Sequence, residues 1–297
     1  MTRGLYAAIE AGGTKWVCAL GSSADGVVTS TRLPTVDPQS TLAAAHRWLE
    51  QAAHTFGPPR ALGIASFGPV ELDPAAPHYG CLLDTPKRGW SGTDLLAPFR
   101  AWPGVPIALD TDVNAAALSE QALGAGRGLD SLAYLTIGTG IGLGVVVHGR
   151  MLHGLLHPEA GHLTPRRAAG DTGFAGICPF HGDCFEGLAS GPALVARLGH
   201  ELGDAPDDHP VWTIEADYLG QLCAQVALAL SPRRIVLGGG VMQHAKLLPA
   251  LRARALHWLG GYLPPLRTAA AMDDYLVPPA LGQRSGILGA LLLAERA

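Results

Sequence analysis

The sequence predicts an α/β protein built from two domains of related design, and two observations carry that expectation. The first is a repeated hairpin pattern. A glycine loop between two apolar runs stands near the start: LYAAI (5–9), EAGGTK (10–15), WVCAL (16–20). The same grammar returns as LAYLTI (132–137), GTGIGLG (138–144) and VVV (145–147). Apolar runs joined by a short glycine segment read as a β-hairpin, so each half should open on one. The second observation is that strand-like and helix-like segments mix between and beyond the hairpins, the pattern of layered α/β domains. At 297 residues the chain can bury a core in each half.

The other elements follow in order. TLAAAHRWLEQAAHTFG (41–57) has helical apolar spacing and a terminal glycine, and ALGIASFG (61–68) reads as a buried strand. VPIALD (105–110) is a short strand. It runs into TDVNAAALSEQALGAG (111–126), which starts on capping residues, is rich in alanine and ends in glycines, a helix signature. YLGQLCAQVALALS (218–231) reads as a helix, RIVLGG (234–239) as a strand and RSGILGALLLAERA (284–297) as a final helix. A domain boundary is expected near 115–125, with no Ser/Pro-rich linker to mark it.

Composition excludes several functional classes. With 48% hydrophobic and 15% charged residues, 39 Gly and 23 Pro, the chain is compact and rich in turns. A net charge of −4, and three lysines among 21 basic residues, leave no electrostatic footprint for nucleic acid or a membrane surface. The N-terminal segment has a five-residue apolar run before Glu10, unlike a signal peptide. No stretch reaches the ~18 consecutive apolar residues of a membrane span. Cys18, Cys81, Cys178, Cys184 and Cys223 are odd in number and thinly spread, so a reduced, cytoplasmic protein is expected.

Each glycine loop leads into a strand, whereas the two commonest phosphate-loop motifs need a helix there. No lysine follows a glycine, which removes G-x-x-x-x-G-K-[ST], and Leu143 stands where G-x-G-x-x-G needs its third glycine. A Walker NTPase and a Rossmann enzyme are thereby disfavoured. A hairpin loop can still hold phosphate, because successive N–H groups in a tight turn form an anion-binding concavity that glycine lets oxygens approach. Two such loops could grip one nucleotide, with Thr14 and Thr139 adding hydroxyls and Lys15 a charge. Glu10, ending the first strand, could hold Mg²⁺ through water. The same loops could equally be plain turns. Asp112 is open to two readings: a general base for a substrate hydroxyl, kept ionised by the helix N-terminus, or part of a helix start at which Asp or Thr merely serves as cap.

HPEAGH (157–162) supplies Glu159 and His162, and CPFHGDC (178–184) follows sixteen residues after His162. His162, Cys178, His181 and Cys184 then make four Zn²⁺ ligands, which would leave no open position and so make the metal structural. His153 and His157 are spare histidines that could replace His162. A buried cysteine pair without metal is the alternative.

Taken in order, EAGGTK, GIASFGP (63–69), DVNAAALSE (112–120), GTGIGLG, EAGH and CPFHGDCFEG resemble the ROK sugar kinases. TPKRGW (85–90) and the histidine in the cysteine motif resemble the zinc-containing fructokinase branch. The resemblance implies a two-domain actin-like ATPase (ribonuclease H-like) fold with ATP and sugar meeting in a cleft. Its domains would be 1–115, completed by the C-terminal helix at about 284–297, and 116–283, carrying the zinc-binding loop. It implies an ATP-dependent fructokinase making fructose 6-phosphate, with Asp112 as the base for the sugar's 6-hydroxyl. Gly12, Gly13, Thr14 and Lys15, with Gly138, Thr139 and Gly140, would hold ATP phosphates, and Gly238, Gly239 and Gly240 would lie against the adenosine. Gly68, Pro69, Thr111, Glu159, His162 and Glu186 would line the sugar. Mg²⁺, structural Zn²⁺ and a homodimer complete the expectation.

Two residues depart from the family pattern: Thr111, where Asn usually precedes the base, and Leu143, where a small residue is common. Three rivals stand beside the fructokinase. One is a glucokinase or mannokinase of the same family, and another is a catalytically inactive sugar sensor. The third is a sugar-responsive repressor, which would need a DNA-binding domain ahead of a first strand expected at residue 5.

Overall fold

The computed structural model describes residues 4–297 apart from Ala101 and Pro103. Of the expected first domain, residues 1–3 lie outside the described residues. Strands β1 (Tyr6–Ala11), β2 (Lys15–Ser22) and β3 (Gly26–Pro34) form an antiparallel meander. β4 (Leu62–Ser66) then pairs parallel to β1, and β5 (Ile107–Thr111) parallel to β4. The second sheet repeats this plan. β6 (Ser131–Ile137), β7 (Ile141–Val147) and β8 (Arg150–Met151) lie side by side. β9 (Ile235–Gly238) pairs parallel to β6, and β10 (Leu276–Val277) parallel to β9. Counted from its own first strand, each five-stranded sheet runs third, second, first, fourth, fifth. That shared order is the ribonuclease H-like plan of the actin-like ATPase fold.

Eight helices join the strands among the described residues: α1 (Pro38–Phe56), α2 (Asp112–Leu123), α3 (Phe185–Ala189), α4 (Gly191–Leu198), α5 (Val211–Leu230), α6 (Leu247–Leu259), α7 (Ala269–Tyr275) and α8 (Ser285–Ala294). α1 shows why such segments fold as they do. Asp37 caps it by accepting the Ser40 N–H, Pro38 fits the first turn, and Leu42, Ala45, Leu49 and Ala52 bury one stripe. α8 has no polar stripe, and every residue from Ser285 to Ala294 is buried. None of the described helices is long and apolar enough to cross a membrane.

The chain clusters into two compact units. One holds residues up to Gly124 with Gly144–His157 and Leu281–Ala297; the other holds Ala125–Leu143 and Pro158–Ala280. The boundary expected at 115/116 therefore falls inside α2, and the helix stays with the first unit. The reason is a buried polar weld to α8, where the Ser119 hydroxyl donates to the Ser285 carbonyl and the Ser285 hydroxyl to Glu120, both at 2.6 Å. Residues 144–157 also return to the first unit. Gly144 brings β7 against the Val113 carbonyl, where a Cβ would overlap.

The second glycine loop is shorter than expected, because β7 begins at Ile141 and leaves only Gly138–Gly140 outside strands. Leu143 is a strand residue only 2% exposed, so its side chain serves packing. β3 was missing from the expected elements: most of its residues are exposed or half-buried at a sheet edge, so no apolar run announces it.

Candidate functional site

In the first unit the parallel strands bring scattered segments to one edge. Ala11 pairs with Ser66, and Ser66 with Thr111, so β1, β4 and β5 end in step. Just past those ends come Gly12–Thr14, Gly68–Pro69 and Asp112. The edge beyond the carboxyl ends of parallel strands is where α/β sheets bind ligands. The first loop is fixed by its own backbone: the Gly12 N–H donates to the Lys15 carbonyl at 3.0 Å, and the Thr35 hydroxyl to the Gly12 carbonyl at 2.8 Å. The Gly68–Pro69 peptide is cis. The Gly68 carbonyl accepts the Thr85 hydroxyl at 3.2 Å, which ties the TPKRGW segment to the second of these chain ends.

Of the two residues that could cap this helix, Thr111 is the one that does. The N-cap of α2 is Thr111, whose hydroxyl accepts the Asn114 N–H at 3.1 Å. Asp112 is the first helical residue, and its Oδ1 accepts the adjacent Val113 N–H at 2.8 Å. Burial pushes its carboxyl up to about 6, against the lowering effect of that N–H. Glu10 is pushed up to about 7, first by burial and then by the charge of Asp112, while Lys15 and Arg32 pull it down. Two acids raised toward neutrality at one strand edge make that edge the candidate site.

Three residues here escaped the sequence reasoning as members of the site. Asp110 is buried, and its Oδ1 accepts the Thr111 N–H and the Asn114 side-chain amide, each at 2.7 Å. Its Oδ2 lies 2.9 Å from His153 Nε2. The available signal was Asp110 itself, a carboxylate inside an otherwise apolar strand.

In the second unit β6 and β9 also end together, with Thr136 opposite Gly238. Gly138–Gly140 and Gly238–Gly240 thereby become neighbours, and the Gly191 N–H that opens α4 donates to the Gly138 carbonyl at 2.8 Å. Glu186, in the first turn of α3, accepts the Ile141 N–H on Oε2 at 2.9 Å, while its Oε1 faces His162 Nε2 at 4.0 Å. A Cβ on Gly140 would lie 2.6 Å from Glu186 Oε2, so a side chain there would push the carboxylate from its present place. Glu159 precedes the 3-10 turn Ala160–His162, and its carbonyl accepts the His162 N–H at 3.0 Å.

His162, Cys178, His181 and Cys184 converge, with one ligand atom from each lying within 4.8 Å of all the others. Cys178 Sγ is 3.7 Å from both His162 Nδ1 and His181 Nδ1, and Cys184 Sγ is 3.6 Å from His162 Nδ1. Those separations can be compared with a tetrahedral Zn²⁺ site. Zn–S bonds of about 2.3 Å and Zn–N bonds of about 2.05 Å give an S···N edge of about 3.5 Å. The donor set fits zinc.

Neither spare histidine belongs to the cluster. His153 is hydrogen-bonded to Asp110, and His157 is buried with Nε2 accepting the Val70 N–H at 3.2 Å. The possibility that either replaces His162 is corrected by these partners.

Sheets of one strand order, with glycine loops at their carboxyl edges, define a protein of the actin-like ATPase class. A model of the ROK family matches residues 6–297, and the chain belongs to that family. It is 42% identical over 295 residues to a fructokinase of Pediococcus pentosaceus, covering 99% of this chain and 98% of the relative. It is 39% identical over 293 residues to a fructokinase of Zymomonas mobilis, covering 98% and 96%. Among solved structures it is similar to a ROK hexokinase from Thermus thermophilus, with a TM-score of 0.77, 27% identity and 98% of each chain covered.

Proposed function

We propose that this chain is an ATP-dependent fructokinase that transfers the γ-phosphoryl group of ATP to the 6-hydroxyl of D-fructose. The observation that carries the proposal is Asp112: a carboxylate raised toward neutrality, relieved of capping by Thr111, at the edge shared with the first glycine loop. The full-length fructokinase relatives support the sugar.

Phosphoryl transfer asks the protein mainly for positioning and charge neutralisation. Asp112 takes the hydroxyl proton as the oxygen attacks, a role worth ~10²–10⁴-fold. Gly12, Gly13, Thr14 and Lys15, with Gly138, Thr139 and Gly140, donate to phosphate oxygens. Gly238, Gly239 and Gly240 receive the adenosine. Gly68, Pro69, Thr111, Glu159, His162 and Glu186 form the sugar's surroundings. Mg²⁺, held through water by Glu10, would neutralise phosphate charge. Zn²⁺ on His162, Cys178, His181 and Cys184 would fix the orientation of Glu159 and Glu186. A cytoplasmic homodimer completes the proposal on the strength of the family resemblance.

The test is ADP release with fructose, glucose, mannose and N-acetylmannosamine. Fructose should give the highest kcat/KM. A pocket whose polar groups pair with furanose hydroxyls leaves some unpaired on a pyranose, at about 1–3 kcal/mol each. An aldose ahead of fructose would make the protein a glucokinase or mannokinase instead. No turnover with any sugar that binds would make it a sensor.

A further inference from the structure

The turn that presents Asp112 is tied down on two sides. Asn114, wholly buried, accepts the Val145 N–H of β7 on its Oδ1 at 3.2 Å and donates its amide to Asp110. Asp110 is in turn held by His153, from the segment that follows β8. A carboxylate this deep, only 1% exposed, is costly unless it is paired. The partner that pairs it has a side chain 41% exposed. The polar contacts of its Nε2 are both to this turn: Asp110 Oδ2 at 2.9 Å and the Asn114 amide nitrogen at 3.4 Å.

We propose that His153 is a positioning residue for phosphoryl transfer. Its imidazolium, hydrogen-bonded to Asp110, holds the 110–114 turn so that Asp112 meets the substrate hydroxyl. This rests on the reading of Asp112 as the base. The physical reason is leverage: Asp110 binds the N–H of Thr111 and the side chain of Asn114 with one oxygen. If Asp110 shifts, Thr111 before Asp112 and Asn114 two residues after it shift with it, and misplacing a reacting group by about 1 Å can cost up to ~10²-fold.

The clamp is pH-dependent, with a determinable sign. The charged group facing His153 is Asp110, and the hydrogen bond to it raises the histidine against an opposing effect of burial. Tyr79 feels the same Asp110 charge with Arg100 near it, and burial holds its phenol above the ordinary range, outside the working window. Asn114, from α2, carries no charge. His153 is therefore charged, and the clamp closed, below its raised pKa. The clamp loosens as pH rises through that value. Asp112 gives the opposite limb, since the base gains function as pH rises through about 6. Together they predict a bell.

The experiment uses the full chain with fructose and ATP from about pH 5 to pH 9. His153→Gln and His153→Ala are compared with wild type and with Asp112→Asn. Both His153 variants should lose kcat ~10-fold with KM for ATP within about twofold, and His153→Gln should lose the alkaline limb. Separately from activity, the His153 ring resonances should titrate above the ordinary ~6.5 of histidine in wild type and fall back in Asp110→Asn. Should Asp110→Asn fail to fold, the His153→Gln profile decides alone. Wild-type kcat and pH profile in both His153 variants, with Asp112→Asn inactive, would overturn the clamp. So would a loss confined to KM for fructose, which would make His153 a sugar contact. An active Asp112→Asn would instead remove the base, and the ring titration would still report whether the pair exists.

Discussion

The turn at residues 110–114 and the cluster at residues 162–184 both concentrate titratable side chains, and they solve the problem in opposite ways. The turn is closed by the protein's own hydrogen bonds: Asp110 has three partners, and Thr111 and Asn114 each serve the backbone. Within the cluster, the sulfur–nitrogen separations of 3.6–3.7 Å match metal coordination edges better than they match mutual hydrogen bonds. Asp112, buried in the closed turn with its carboxyl raised to about 6, is the side chain there proposed as the reacting group. Convergent donors in the cluster stand out as ligands.

The sharpest way to break the contrast is Asp112→Asn, which keeps shape and removes the proton acceptor. kcat should fall ~10² or more while ATP still binds, by calorimetry or by tryptophan fluorescence. The same variant should be more stable. A carboxylate whose folded pKa is raised, here from 3.8 to about 6, binds its proton more tightly folded than unfolded. Its contribution thus falls as pH rises between those values and remains unfavourable at pH 7. Asp112→Asn should then raise Tm by roughly 2–4 °C at pH 7 and less near pH 4. An inactive but destabilised variant would make Asp112 a structural residue after all.

The cluster is tested next. Cys178→Ser, after expression with ample zinc, should reduce bound zinc from about one per chain to less than half, measured by mass-spectrometric metal analysis. Tm and turnover should both fall, and a chelator should reproduce the loss on wild type. Unchanged zinc in the variant would put the metal elsewhere.

A smaller effect is expected from Gly140→Ala, because the new methyl meets Glu186 Oε2 at 2.6 Å and forces it off the Ile141 N–H. KM for ATP should rise ~10-fold with zinc content unchanged. Smallest of all is Thr111→Asn. Both residues cap helices well, so stability should move by no more than about 0.5 kcal/mol. The ratio of kcat/KM between fructose and mannose tells whether position 111 reaches the sugar. A changed ranking would place it among the selectivity residues.

Much of this was legible in the sequence, for reasons that differ by element. The two hairpins and α2 announce themselves through local chemistry, glycine between apolar runs and Thr-Asp before alanines. The spacing of Cys178, His181 and Cys184 is equally local. His162 against His153 and His157 was not decidable, because three histidines within ten residues are told apart only by what other segments place beside them. Asp110 supplies the partner of one, and the Val70 N–H that of another. β3 and the true start of β7 were hidden for a related reason: an edge strand with polar faces and a strand containing Gly142 and Gly144 have weak patterns of their own. Neighbours decide them.

Glu186 has a consequence for which substitutions the fold can accept. Its two oxygens face two hydrogens: the backbone N–H of Ile141 and, when Nδ1 of His162 serves the metal, the N–H at Nε2. The position is therefore a matter of donor and acceptor parity more than of charge. Glutamine, nearly identical in shape, carries an acceptor at one end and an NH₂ at the other, so one of its ends must confront a donor. Aspartate keeps the parity and loses about one bond length of reach. Glutamate supplies an acceptor toward the Ile141 N–H and a second oxygen on the side of His162.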